Sequence, residues 1–184
     1  MSRHLRVIQH ADLSEVDIRL LRDFFNRQYF ADFGPWNLDA PYGYSPADMH
    51  TLICDGPALV AHVGFQVRLI GVGSIDVSVA GTGGVLVDES CRGTGLGREV
   101  MQDAQQAMRN DGRVQFGYLG CREQVVPFYE STGWHRIHAT EHHASRIDHH
   151  RVVTSTGDPL LIYPVRKDVT EWPPGDINLR GTPW

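Results

Sequence analysis

The chain has 184 residues, of which 41% are hydrophobic and 21% charged. These values exclude a disordered or collagen-like chain, and the length is enough for one domain that folds without disulfides or a structural metal. Seventeen basic and 22 acidic side chains give a net charge of -5, which argues against a nucleic-acid partner and favours a cationic one. The three cysteines are far apart, and no signal peptide or long apolar stretch is found, so we expect a cytoplasmic protein with no membrane span.

The predicted elements begin with a short strand at 5–8, where apolar residues alternate. Ser14, followed three residues later by Asp17, is a capping-box variant that starts a helix reaching about residue 28. Residues 33–49 then contain three prolines and two glycines, with acidic residues between aromatic ones. A segment of this length without regular structure is often a binding loop, the alternative being a packed surface loop.

Three apolar, β-rich runs at 51–54, 58–70 and 75–87 are separated by turn residues and predict an antiparallel meander. An amphipathic helix from residue 96 to Gly112 follows, then a strand at 114–119 and a short helix closed by Gly133. We expect two or three further strands between 135 and 165, before a tail rich in proline and glycine. No internal repeat or linker is found, so the whole chain, 1–184, is predicted to be one α+β domain.

A glycine-dense stretch at 92–97 lies between an apolar strand and the amphipathic helix. Glycines let backbone amides approach a ligand closely, and the helix N-terminus adds about half a positive charge, so this stretch favours an anion such as a pyrophosphate. The chain has no Gly-Lys pair for a P-loop, and Arg98 and Val100 occupy positions where a dinucleotide-binding motif would need glycine. The pattern that remains is Arg92-x-x-Gly95-x-Gly97.

A second stretch, Phe128-Tyr-Glu-Ser-Thr-Gly-Trp134, follows one predicted strand after the loop helix. The two stretches together resemble the coenzyme A-binding motifs of the Gcn5-related N-acetyltransferases, in the order and at the separation found in that superfamily. The resemblance implies a mixed, mostly antiparallel sheet whose fourth and fifth strands splay apart, and acetyl-CoA as co-substrate. The sequence departs from the superfamily at Arg122 and Val125, where asparagine and alanine are frequent.

The resemblance also implies roles for individual residues. The pyrophosphate would bind the backbone amides of Arg92, Gly93, Thr94, Gly95, Leu96 and Gly97. Backbone groups of Val85 and Val87 would pair with the pantetheine arm like an added strand, and a fourth-strand amide would donate to the thioester oxygen. Tyr129 corresponds to the tyrosine near the sulfur, and we expect it to be the general acid, the alternative being a tyrosine that only orders the pantetheine. The base stays open, because Gly83 occupies the position of a glutamate in the most similar subgroup.

That subgroup comprises the aminoglycoside N-acetyltransferases that modify the 2′-amine. The similar features are softer: Phe30-Ala-Asp-Phe33, the strand residues around His50 and His62, and a final tryptophan. This likeness implies a cationic aminosugar acceptor, with kasugamycin as one candidate, and antibiotic resistance as the role. The residues expected to contact the acceptor, by charge or by stacking on sugar faces, are Asp32, Trp36, Asp39, Tyr44 and Trp184.

Other interpretations stay open. A weaker likeness to nodulation N-acyltransferases favours a longer acyl donor, and a sensor that binds acetyl-CoA without turnover would be another class. Members of the superfamily often pair, which leaves a homodimer open. His138, Glu141 and His142 match the spacing of an inverted zinc-protease motif, but no helical periodicity places them on one face, so no metal site is predicted. Cys91 and Cys121 are interpreted as small filler residues rather than reactive thiols.

Overall fold

The computed structural model describes residues 3–184. Within this range the strands are β1 (Arg3–Gln9), β2 (Met49–Asp55), β3 (Ala58–Val72), β4 (Ile75–Val87), β5 (Phe116–Gly120), β6 (His135–Ile137), β7 (Glu141–Ala144), β8 (Val152–Ser155), β9 (Leu160–Pro164) and β10 (Ile177–Asn178). The helices are α1 (Glu15–Phe33), α2 (Leu96–Asp111) and α3 (Val126–Glu130). All ten strands belong to one mixed sheet in the order β6-β9-β5-β4-β3-β10-β7-β8, with β2 on β3 and β1 on β2.

Strand β3 organises this sheet because it is 15 residues long. One of its edges pairs with β4, and the other is shared by two strands. Its first half, from Ala58 to Phe65, pairs with β2, and its end at Gly71 and Val72 pairs with β10. The meander predicted for β2 to β4 is confirmed. Composition gave no sign of β10, and the 135–165 region forms four strands rather than two or three.

Helix α1 begins at the predicted capping box. The Ser14 side chain accepts from the Asp17 amide, and the Asp17 side chain accepts from the Ser14 amide. Arg6 of β1 also pairs with Asp17, and this pairing, with the Ser14 hydrogen bonds, lowers the pKa of Asp17 to about 2. The helix continues to Phe33, five residues past the expected end, because the first residue that ends it is Gly34, with φ at 75°.

Strands β4 and β5 pair in parallel over only three residues, Val79–Gly81 against Phe116–Tyr118. Beyond Gly81, β4 continues along β3 alone, while the rest of β5 pairs with β9. The two neighbours therefore separate and leave a gap beside the second half of β4. This is the splay that the resemblance implied.

The two faces of the sheet are covered differently. Helix α2 buries one side, with Val100, Met101 and Ala104 packed against the sheet. Helix α1 covers part of the other face through Leu21 and Phe25. None of the helices within residues 3–184 is long and apolar enough to cross a membrane.

Candidate active site

The glycine-rich loop connects β4 to α2 at the open end of the splay. Gly93 and Gly95 have φ of 76° and 89°, and Gly95 is the N-cap of α2. Residues 92–95 are exposed, and the first amides of α2 have no acceptor within the helix. The Arg92 amide differs from its neighbours because it donates to the Glu89 carbonyl at 3.3 Å. The amides that could receive an anion are therefore those from Gly93 onward.

Arg92 contributes through its side chain instead. Its guanidinium donates to Gln28 Oε1 of α1 at 3.1 Å and to Glu89 Oε1 at 3.3 Å. The first hydrogen bond joins the loop to α1, and the second lies within the connection between β4 and α2.

Helix α3 packs against the first turn of α2. A Cβ at Gly97 would lie 3.2 Å from Phe128 Cε2, and Arg98 donates to the Ser131 carbonyl at 2.6 Å. This close packing places Tyr129 next to the loop, with its ring against Trp134 at a centroid distance of 6.1 Å. The two predicted coenzyme motifs therefore meet in space.

Tyr129 is 8% exposed, and no hydrogen bond to its hydroxyl is found within residues 3–184. Burial raises the pKa of Tyr129, and the neighbouring Cys121 and Tyr29 raise it further. The phenol consequently keeps its proton at neutral pH and can donate to a developing thiolate. The raised pKa also opposes complete transfer of that proton.

Tyr29 links this centre to the loop at 33–49, and the sequence reasoning missed it. Its ring lies 6.1 Å from Phe33 and 5.9 Å from Tyr42. The signal was present, since Phe25, Tyr29 and Phe33 recur every four residues along one face of α1. Burial and the nearby Tyr29 raise the pKa of Tyr42 to about 12, so the Tyr42 phenol is uncharged at neutral pH. Cys121 is similarly inert, because burial raises its pKa to about 11.

Two residues predicted to stack on a sugar are already covered. Trp36 is 6% exposed, and its ring stacks on Phe25 at 5.4 Å and an interplanar angle of 5°. The Arg146 guanidinium lies 4.3 Å from the centroid of the Tyr44 ring. Trp36 therefore holds the loop against α1 and offers no open face, and Tyr44 offers at most the side away from Arg146. The burial arises from α1, which composition alone could not place there.

The predicted carboxylates are exposed. Asp32 lies in the last turn of α1, and the Asp39 side chain is 85% exposed, with Oδ1 3.8 Å from His10 Nε2. Both are free to approach a cationic ligand.

Trp184 lies directly against β4 where the splay begins. A Cβ at Gly81 would lie 2.0 Å from the indole, and one at Gly83 would lie 2.5 Å from the main-chain carbonyl carbon of Trp184. The indole Nε1 donates to Gln66 Oε1 at 3.1 Å, and the Arg68 guanidinium covers the ring at 4.2 Å. Position 83 therefore has no room for the glutamate of the aminoglycoside-modifying subgroup.

Glu141 and His142 lie on strand β7, not on a helix. The Glu141 carboxylate bonds to the Tyr118 hydroxyl, whereas His142 Nδ1 lies 3.0 Å from the Thr154 hydroxyl. The two side chains have different partners, as neighbours on a strand do.

A splayed pair of parallel strands, a glycine-rich loop opening a long helix, and a buried tyrosine after the next strand define a GNAT-type N-acyltransferase. Solved structures show the same fold. YhbS of Escherichia coli in complex with CoA aligns with a TM-score of 0.63 at 15% identity, over 96% of this chain and 89% of that one. ElaA of Escherichia coli aligns with a TM-score of 0.61 at 17% identity, over 88% of this chain and 98% of that one. An acyl-CoA N-acyltransferase from Pseudomonas aeruginosa aligns with a TM-score of 0.59 at 18% identity, over 88% of this chain and 99% of that one.

The chain belongs to the Nodulation protein A (NodA) family, whose model matches residues 4–183. Nodulation protein A of Mesorhizobium sp. (strain 7653R) is 25% identical, over 94% of this chain and 92% of that protein. Aminoglycoside 2′-N-acetyltransferase of Mycolicibacterium fortuitum is 28% identical, over 70% of this chain and 63% of that protein. The chain therefore matches less than two thirds of the length of the second relative. Both likenesses anticipated from the motifs are confirmed, and they place the chain among the N-acyltransferases.

Proposed function

We propose that the protein transfers an acetyl group from acetyl-CoA to the primary amine of a cationic aminosugar, the 2′-amine of an aminoglycoside being the specific acceptor. The observation that carries the proposal is that the exposed loop amides, the splay between β4 and β5, and Tyr129 lie next to one another. An acceptor amine reaches this gap from the side of α1 and the 33–49 loop.

Different residues of the chain bind the coenzyme and assist the chemical steps of such a reaction. Amides from Gly93 to Gly97 and the N-terminus of α2 bind the pyrophosphate. The Val85 carbonyl and the backbone groups of Val87 hold the pantetheine arm, so the Val85 N–H is not used for this. The neutral amine nitrogen attacks the thioester carbonyl carbon, the carbon–sulfur bond breaks, and Tyr129 gives its proton to the departing sulfur. The proton that the new amide nitrogen loses returns to Tyr129 through water. Gly83 supplies no carboxylate for deprotonating the amine, so the amine loses its proton either to another group or to water.

The acceptor class is supported by charge and by likeness. Asp32 and Asp39 are exposed on the segment, α1 and the 33–49 loop, that also carries the aromatic cluster of Tyr29, Phe33 and Tyr42, and the chain carries a net charge of -5. An aminoglycoside is a polycation with apolar sugar faces, which suits carboxylates next to aromatic rings. The Mycolicibacterium fortuitum relative is named for this acceptor.

A longer acyl donor is the second candidate. It is favoured by the NodA family match over almost the whole chain and by the apolar rings of Phe30 and Phe33 near the end of α1, which are 57% and 56% exposed. An acyl chain longer than acetyl would extend along such rings. The two candidates share the fold, the coenzyme loop and Tyr129.

Coenzyme binding is tested with two matched glycine variants. Gly95 and Gly157 have φ of 89° and 88°, and a Cβ at either would meet no atom within 4 Å. Alanine therefore introduces the same backbone strain, about 1–2 kcal/mol, at both positions. We expect Gly95→Ala to weaken CoA binding at least tenfold by calorimetry and Gly157→Ala to leave it unchanged. Equal affinities in the two variants would remove the loop from the binding site.

The reaction is tested by thiol release from acetyl-CoA and from longer acyl-CoA donors, with gentamicin, tobramycin and kasugamycin as acceptors. Release with an aminoglycoside and acetyl-CoA supports the proposal. Preference for a long donor supports the second candidate. Tight CoA binding without any release favours a sensor instead.

A further inference from the structure

Three imidazoles form a continuous hydrogen-bonded chain that the acyl-transfer scheme leaves unused. His10 Nδ1 lies 3.2 Å from His50 Nε2, and His50 Nδ1 lies 3.0 Å from His62 Nε2. The inner end is the Gly84 carbonyl, 2.7 Å from His62 Nδ1. His50 and His62 are each only 3% exposed, so this chain, which we call the histidine chain, runs from the surface to β4.

The hydrogens of the histidine chain can be ordered in only one way. A carbonyl oxygen only accepts, so His62 Nδ1 carries the hydrogen. Burial lowers the pKa of His62 to about 4 and that of His50 to about 2, so both rings are neutral near pH 7. His62 Nε2 is then bare and accepts from His50 Nδ1, and His50 Nε2 accepts from His10 Nδ1. Every donor points towards Gly84.

Gly84 lies in a β-bulge. The ladder between β3 and β4 pairs His62 with Leu86 and Gly64 with Gly83, which leaves Val63 opposite both Gly84 and Val85. Gly84 has φ of 60°, and a Cβ there would lie 3.1 Å from the His62 ring. The bulge frees one peptide group of β4 from the regular ladder, and His62 fixes its carbonyl.

That peptide group joins Gly84 to Val85. Because a trans peptide is planar, the Gly84 carbonyl and the Val85 N–H point in opposite directions. Fixing the carbonyl towards His62 therefore fixes the Val85 N–H away from it. Val85 lies in the part of β4 that has separated from β5, where the thioester is expected.

We propose, on the basis of the acyl transfer argued above, that His62 is a positioning residue that aims the Val85 N–H at the thioester oxygen, and that His50 and His10 hold His62 in the required tautomer. Negative charge develops on that oxygen when the amine attacks. A preorganised donor of this kind is worth about 10² to 10³ in kcat. If the Val85 N–H no longer points at the thioester oxygen, kcat should fall and the KM for acyl-CoA should stay nearly unchanged.

Two amide variants test the roles of the two ring nitrogens of His62 separately. The side-chain nitrogen of asparagine occupies the place of Nδ1, and the side-chain amide of glutamine reaches that of Nε2. We expect His62→Asn to keep the hydrogen bond to Gly84 and to retain kcat within about tenfold, whereas His62→Gln should lose about 10² to 10³ in kcat. Equal kcat values for the two variants, or a loss confined to KM, would overturn the proposal.

The tautomers of the histidine chain can be measured without substrate, which tests the chain independently of the reaction. Nitrogen-15 NMR of the imidazoles at pH 7 should show His62 and His50 with the hydrogen on Nδ1. The Val85 amide resonance should shift in His62→Gln and stay in place in His62→Asn. A hydrogen on His62 Nε2 in the wild-type protein would refute the inference even if acyl transfer were confirmed. Absence of acyl transfer with the expected NMR result would instead refute the proposed function.

Discussion

Gly81 and Trp184 provide a quantitative test of how the tail is seated on β4. A Cβ at position 81 would lie 2.0 Å from the indole of Trp184. The backbone fixes the position of an alanine Cβ, so Gly81→Ala must displace the ring. Displacement removes the contact with Arg68, worth about 0.5–1 kcal/mol, and the hydrogen bond to Gln66, worth about 1 kcal/mol. Some packing against Tyr118 is lost as well. We expect Gly81→Ala to lower the free energy of unfolding by about 2–3 kcal/mol, within the range for overpacked cores.

The assay is urea unfolding of four proteins: wild type, Gly81→Ala, Trp184→Ala and the double variant. With Trp184 truncated, alanine at 81 should cost less than about 0.5 kcal/mol, so the coupling between the two positions should be close to 2 kcal/mol. Gly120→Ala is the matched control, since a Cβ there meets its nearest atom at an ordinary 3.6 Å. A coupling below about 0.5 kcal/mol would show that Trp184 does not rest on Gly81.

Two further predictions concern titratable groups. The folded pKa values of about 4 for His62 and about 2 for His50 lie below the unfolded value of about 6.5. The unfolded chain therefore binds more protons, and stability falls as the pH drops below about 6.5, by about 2 kcal/mol per histidine between pH 7 and 5. Denaturant titrations of His50→Gln should show a shallower fall than wild type, and identical pH profiles would contradict the burial argument. Tyr129→Phe should lower kcat by about 10² to 10⁴ with CoA affinity unchanged. Because burial raises the Tyr129 pKa, wild-type kcat should show no loss from tyrosine ionisation below about pH 10, and near-normal turnover of the variant would rule out the acid role.

Local patterns anticipated the parts of the site that local chemistry determines. The glycine-rich loop, the N-terminus of α2 and Tyr129 on α3 lie in two short stretches with their own backbone requirements, and the structure brings these stretches together. Capping by Ser14 and Asp17 likewise depends on four consecutive residues.

The features that were missed depend on strand register. His10, His50 and His62 follow no periodicity along the chain, and they meet only because Ile8 pairs with His50 across β1 and β2 and Leu52 pairs with His62 across β2 and β3. Trp36 was expected at a sugar because acidic and aromatic residues alternate in its loop, but the middle of α1 places Phe25 against it. In both cases a long-range contact decided the role of a residue whose neighbours in sequence gave no information.

The two-residue strand β10 has a mechanical consequence. Within residues 3–184, the strand pairing that joins the β7–β8 hairpin to the rest of the sheet runs through β10, by the pairs Ile177–Glu141 and Asn178–His142. Further hydrogen bonds come from Leu179 and go to Gly181, and the Glu141 side chain bonds to Tyr118 of β5. Loss of this short β10–β7 pairing and of the side-chain hydrogen bond would release the hairpin as a unit while the β4–β5 region stays intact. Amide hydrogens of β7 and β8 should therefore exchange through a local opening well below the energy of global unfolding.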